Sequence, residues 1–148
     1  MINILNTKEK HKIVERLNEQ FGISELPFML IQAGKERLRG FFGSLSPNEL
    51  KRLSENVRVE VVGSYLMTEE SDGFRFSFDS LFVFKDKIKK NLVEISDDNA
   101  EKWLAGQDID VEHENAWVVL KNKEDLIGCG KVKDGRVKSY VPKERRVR

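Results

Sequence analysis

The chain contains one cysteine, Cys129, and two histidines among 148 residues. A lone thiol excludes an internal disulfide and fits a reducing compartment. His11 and His113 lie far apart, and neither has a cysteine or a second histidine at metal-ligand spacing, so no metal or cofactor is expected. The longest apolar stretches, "LPFMLI" and "SLFVF", fall well short of the ~20 residues a membrane-spanning helix needs. The opening Met1-Ile2-Asn3-Ile4 has no charged start, apolar core and cleavage site, which predicts a cytoplasmic protein. Phosphate-binding loops and the G-x-S-x-G elbow are also missing. "GCG" at 128–130 lacks the third glycine and following helix of a dinucleotide fingerprint. Cys129 has no nearby base and reads as a small packed residue rather than a nucleophile. No catalytic residue is expected.

What the chain does have is charge: 34% Asp, Glu, Lys and Arg beside 39% hydrophobic residues, with a net charge of only +1. The distribution is uneven. Residues 128–148 hold eight Lys/Arg against Asp134 and Glu144, a net +6, which leaves −5 for the rest. Much of that lies in residues 94–114, with eight acids and one lysine. A basic end beside an acidic belt points to an anionic partner on one side. Within the belt, Asp108, Asp110, Glu112 and Glu114 read as a solvated loop.

"GKVKDGRVKSY", residues 130–140, concentrates the basic charge. Asp134-Gly135 between alternating runs predicts a two-residue hairpin, because such a turn needs φ > 0 at both central residues. The turn would set Lys133 opposite Arg136 and Lys131 opposite Lys138. All four cations would share one face, with Val132 and Val137 on the other. Like charges directly opposite destabilise a sheet pair by a few tenths to ~1 kcal/mol, so an anionic ligand is expected for them. Tyr140 falls on the same face, where it could stack on an unpaired base or pack between domains. Lys143 adds a fifth charge if the strand continues past Tyr140, and Arg145, Arg146 and Arg148 form a flexible basic tail. Glycines 128 and 130, inside a strand, mark close approach of a neighbour. That neighbour is either a helix or a nucleic-acid backbone.

Elsewhere, Asn6 and Glu9 have capping-box spacing ahead of the apolar face Ile13, Val14, Leu17 and Phe21, and Gly22 ends that helix. "LPFMLIQ" predicts a buried strand; "AGKERLRGFFGSL" fits a short helix or a twisted strand pair. Ser46-Pro47-Asn48-Glu49 starts a second helix with Leu50 and Leu53 inward. "VRVEVVGSYLM" and "FRFSF" predict a hairpin, with Phe74, Phe76 and Phe78 on its core face. A short apolar helix through Phe84 follows, then the lysine-rich "KDKIKKN". After it, "LVEI" is a strand and Ser96 caps a helix lined by Ala100, Trp103 and Leu104. Three antiparallel strands finish the chain. The fold class is α+β: residues 1–90 form an α/β domain and residues 91–148 a small, mostly β domain.

The final stretch carries a resemblance. Gly128-x-Gly130-Lys131, Gly135, Val137-Lys138 and Pro142-Lys143 with Arg146 resemble the C-terminal PUA-like RNA-binding region of the nucleolar/Fmu-type RNA cytosine-5 methyltransferases. Two positions depart from that pattern: Ser139 stands where asparagine is common, and Val141 where an aromatic is. The whole layout is similar to ribosome-biogenesis factors in which a pre-PUA domain precedes a PUA-like pseudobarrel. The resemblance implies a non-catalytic RNA-binding protein, of a type that stands alone in archaea. It would engage rRNA or tRNA through Lys131, Lys133, Arg136, Lys138, Tyr140, Lys143, Arg145 and Arg146. Nothing matches the family's catalytic half, for which 148 residues leave no room. A methyltransferase or pre-ribosomal protein is an expected partner, and the chain is expected to be a monomer. Two alternatives stand beside this reading: a protein-interaction adapter, or the RNA-binding subunit of a separate modifying enzyme.

Overall fold

The computed structural model describes residues 2–56 and 63–146. Over these residues the fold is α+β, built on two five-stranded sheets. The first contains β1 (Asn3–Ile4), β2 (Met29–Ala33), β3 (Arg37–Phe41), β4 (Ser64–Glu70) and β5 (Gly73–Phe76), in sequence order and antiparallel throughout. The helix α1 (Thr7–Phe21) follows β1, and α2 (Pro47–Asn56) follows β3. The capping box forms as the spacing predicts: the Glu9 N–H donates to Asn6 Oδ1 at 2.8 Å, and the Asn6 N–H donates to Glu9 Oε1 at 3.0 Å. Gly22 ends α1 in the left-handed region, φ 74°, where a Cβ would be strained. Ser46 and Glu49 cap α2 in the same reciprocal way.

One open choice is decided and two expectations change. The open segment "AGKERLRGFFGSL" contains β3, which pairs with both β2 and β4. Leu53 is 43% exposed while Leu50 is buried. Three residues turn a helix by about 300°, so Leu53 swings off the line on which Leu50 makes contact. Phe78 does not share a face with Phe74 and Phe76: β5 stops at Phe76, and Ser77 caps a 3₁₀ turn, Phe78–Phe82, whose start breaks the two-residue alternation. Of the stretch "VRVEVVGSYLM", residues 57–62 lie outside the described residues.

The second sheet has order β6-β8-β9-β10-β7. It contains β6 (Leu92–Glu94), β7 (Ile109–Asp110), β8 (Ala116–Asn122), β9 (Asp125–Lys133) and β10 (Arg136–Val137). β6 runs parallel to β8 and the other pairs are antiparallel. The helix α3 (Asp97–Leu104), capped by Ser96, covers one face of the sheet. Ala100 and Trp103 of α3 join Val118, Leu120, Val132 and Val137 in one core. The alternate residues Trp117, Val119 and Cys129 enter the other core, with Leu17 and Phe21 of α1 and Leu38, Met67, Phe74 and Phe76 of the first sheet. β8 is therefore buried on both faces, which explains its uninterrupted apolar run.

The glycines in β9 follow from that packing. A Cβ on Gly128 would overlap the Trp103 indole, and one on Gly130 would lie 2.5 Å from Val137 Cγ1. Their close neighbours are thus α3 and β10, which decides for the helix-packing reading. The Trp103 Nε1–H donates to the Ile127 carbonyl at 2.9 Å, so the indole cannot move aside without losing a buried hydrogen bond. Gly128→Ala is expected to destabilise the fold by about 1–3 kcal/mol through overpacking, read from the midpoint of urea unfolding.

Candidate nucleic-acid interface

The hairpin closes as its sequence predicts. Asp134 and Gly135 take φ values of 51° and 77°, and Lys133 pairs with Arg136 and Val132 with Val137. Both valines are buried and both cations exposed. The Asp134 N–H donates to Asn115 Oδ1 at 2.9 Å, which ties the turn to the strand before it. The second expected pairing, Lys131 with Lys138, does not form because β10 ends at Val137. Ser139 draws the chain away: its N–H donates to Asp108 Oδ1 at 3.0 Å and its hydroxyl to the Trp103 carbonyl at 3.2 Å. Serine at this departure from the family pattern thus anchors the strand exit to the end of α3.

Several of the cations have internal partners. Lys131 bonds to Asp72, in the β4–β5 turn, and Asp72 Oδ1 also accepts from Trp117 Nε1–H at 2.7 Å. The Lys131 hydrogen bond, then that of Trp117, holds the Asp72 carboxyl below the usual range. Arg136 lies 3.5 Å from Asp110 and 3.9 Å from Asp108. This corrects the solvated-loop reading of those acids: Asp110 is in β7, directly opposite Arg136. The described part of the tail is also folded back. Arg145 sits in a 3₁₀ turn, Lys143–Arg145, and reaches Asp79 at 3.2 Å. Arg146 Nε–H donates to the Val141 carbonyl at 3.1 Å. Arg148 lies outside the described residues. Among the described residues, Lys133, Lys138 and Lys143 are exposed and make no ion pair.

Tyr140 stays 43% exposed although it has neighbours on the seam between the sheets. The Arg75 guanidinium lies 5.1 Å from its ring centre, and the Trp117 ring 5.7 Å. Sequence reasoning missed Asp72, Arg75 and Trp117 as parts of this surface. They come from segments far from Tyr140 along the chain, and no local pattern connects them. Cys129 is buried, and burial pushes its thiol up to about 12. Among the described residues no group of three or more His, Cys, Asp or Glu is placed to hold a metal ion, and no helix is long and apolar enough to cross a membrane.

The second sheet with its capping helix and basic hairpin is PUA-like, and residues 90–147 match the family model described as the methyltransferase RsmF PUA domain. This region resembles the C-terminal part of the Fmu-type RNA methyltransferases. The chain is 27% identical over 146 residues to "Ribosomal RNA small subunit methyltransferase F" of Psychromonas ingrahamii, covering 93% of this chain and 29% of the relative. The protein of the same name from Vibrio cholerae is 26% identical over 144 residues, covering 96% of this chain and 29% of its own length. That of Erwinia tasmaniensis is 28% identical over 102 residues, 68% of this chain and 21% of its own length. The chain thus spans less than a third of the curated relatives it matches, and the two longer alignments run through the first sheet as well. These organisms are bacteria, so the archaeal expectation gains no support.

The Asp72 contacts predict a pH-dependent contribution. A carboxyl held low in the folded state stabilises it above the ordinary carboxylate pKa and loses that contribution as pH falls through the lowered value. Both partners are more than a third exposed, so the ion pair is worth no more than about 1 kcal/mol. Wild type is therefore expected to be more stable than Asp72→Asn at pH 7, with the difference vanishing in strong acid. Urea unfolding of both proteins across pH 2–7 checks this.

Proposed function

We propose that the chain is a non-catalytic RNA-binding protein that engages structured ribosomal RNA through its basic C-terminal hairpin. The observation that carries this reading is the set Lys133, Lys138 and Lys143: exposed cations without an ion pair among the described residues, on a region matching the PUA domain of an rRNA methyltransferase family. Ammonium groups on a hairpin supply salt-sensitive affinity for phosphate without reading sequence. Lys131, Arg136, Arg145 and Arg146 flank these three. Exposed ion pairs such as Arg136 with Asp110 are worth only ~0–1 kcal/mol, so a phosphate can compete for the guanidinium. Tyr140 adds a ring to the same surface. The name of the relatives favours rRNA over tRNA. In this reading residues 91–148 hold the RNA and residues 1–90 orient it or bring a partner. The high pKa of the Cys129 thiol supports a non-catalytic role for the one nucleophilic sulfur.

A second reading has a specific observation behind it. Residues 90–147 match the PUA domain of a methyltransferase family, which fits the RNA-binding subunit of a modifying enzyme.

The test is a titration of the chain with small-subunit rRNA fragments and with tRNA at several salt concentrations. Wild type is compared with Lys133→Gln, Lys138→Gln and Lys143→Gln combined. Affinity is expected to fall, with the slope of log K against log salt becoming shallower by about one for each phosphate no longer neutralised. A folded triple variant that binds rRNA as wild type does would remove the hairpin as the RNA face. Tighter binding to tRNA than to rRNA would overturn the choice of RNA. Co-purification with a methyltransferase would favour the second reading.

A further inference from the structure

We propose that the cavity at the seam between the two sheets is a pocket for a single unpaired nucleobase. This goes beyond phosphate contact by the hairpin and rests on the RNA-binding reading for the source of the base. The cavity holds about 260 Å³ and is lined from both sheets and from the chain's last segment. That is just under the ~300–1,000 Å³ of pockets for drug-sized ligands, room for one ring system.

Its walls are flat groups. Tyr65 of β4 and Tyr140 both line it, and each carries a guanidinium: Arg37 lies 5.2 Å from the Tyr65 ring centre and Arg75 5.1 Å from that of Tyr140. The rings are positioned by the fold. The Tyr65 hydroxyl is hydrogen-bonded to Thr68, and Thr68 stands between Arg37 and Arg75 in one row across β3, β4 and β5. Aromatic rings and guanidinium planes are the groups on which proteins stack splayed-out bases.

Charge selects a neutral ring over a phosphate. The Arg75 Nε–H donates to Glu70 at 3.1 Å, and Asp79 at the cavity is paired with Arg145. Glu144 also lines the cavity and has no ion pair among the described residues. The lining therefore has no surplus positive charge, while the Glu144 carboxylate can accept from an amino or imino N–H on a base edge. The free ammonium groups lie just outside in sequence: Lys138 two residues before Tyr140, and Lys143 one after Pro142. A base in the cavity thus leaves its phosphates to those lysines.

The test follows backbone amide shifts of the full chain during titration with three probes. These are adenosine, which has no phosphate, a single-stranded RNA octamer, and the duplex of the same sequence. The amides of Gly128 and Cys129, at the cavity lining, are expected to shift with adenosine and the octamer but not with the duplex. Tyr140→Leu is expected to weaken octamer binding roughly tenfold, the scale of one base stack, and Tyr140→Phe to restore it. If the octamer moves only the amides near Lys133, Lys138 and Lys143, or the duplex moves the cavity amides equally, the pocket proposal falls and the hairpin reading stands. If the cavity amides shift while the lysine substitutions leave rRNA binding unchanged, the hairpin reading falls and the pocket stands. If no probe moves any amide, both fall. The wild-type shifts decide even if Tyr140→Leu does not fold.

Discussion

The structure depends on β8 being buried on both faces. Successive side chains of a strand point to opposite sides, so Trp117 and Val119 enter the core under α1 while Val118 and Leu120 enter the core under α3. One strand thereby joins two hydrophobic clusters, and the second sheet cannot leave the first without exposing Trp117 and Val119. The Trp117 indole at the rim of this seam brings a polar N–H with it. An unpaired buried donor costs about 1–3 kcal/mol, and Asp72 from the facing sheet meets that demand. Having placed a carboxylate there, the fold also has a partner for Lys131, the residue directly opposite Trp117.

This changes how the basic cluster is understood. Four cations across a hairpin suggest an external anion, because opposed like charges repel. Two of the four have internal carboxylates instead: Lys131 has Asp72, and Arg136 has Asp108 and Asp110. Much of the cross-strand repulsion is relieved within the protein. Among the described residues the exposed cations left over are Lys133 and Lys138, with Lys143 beyond the strand. The acidic belt and the basic end, which look separate along the chain, meet across β7 and β10.

Local features were legible wherever neighbouring residues decide the geometry. The capping boxes at Asn6 and Ser46, the Gly22 stop and the Asp134-Gly135 turn all form as their spacing predicts. Their hydrogen bonds and φ requirements span at most a few residues. The α+β class was legible for the same reason, since the alternating and 3.6-residue patterns sit in separate segments. Errors came where an element ended or a helix touched its support, as at Phe78 and Leu53. The partners that fix those points are distant in sequence.

The sequence by itself determined the helices, the hairpin with its buried valines and exposed cations, and the concentration of positive charge near the C-terminal end. It could not determine which of those charges stay free. Nor could it tell whether Gly128 and Gly130 made room for a helix or a ligand, or that Tyr65, Arg75 and Tyr140 would share a cavity. Tertiary structure decided these because each depends on which groups from separate segments come within contact distance, and short-range propensity carries no information about that. The Trp103 indole fills the space above the two glycines, and the Tyr65–Tyr140 cavity forms where β4 and β5 of one sheet meet β9 of the other.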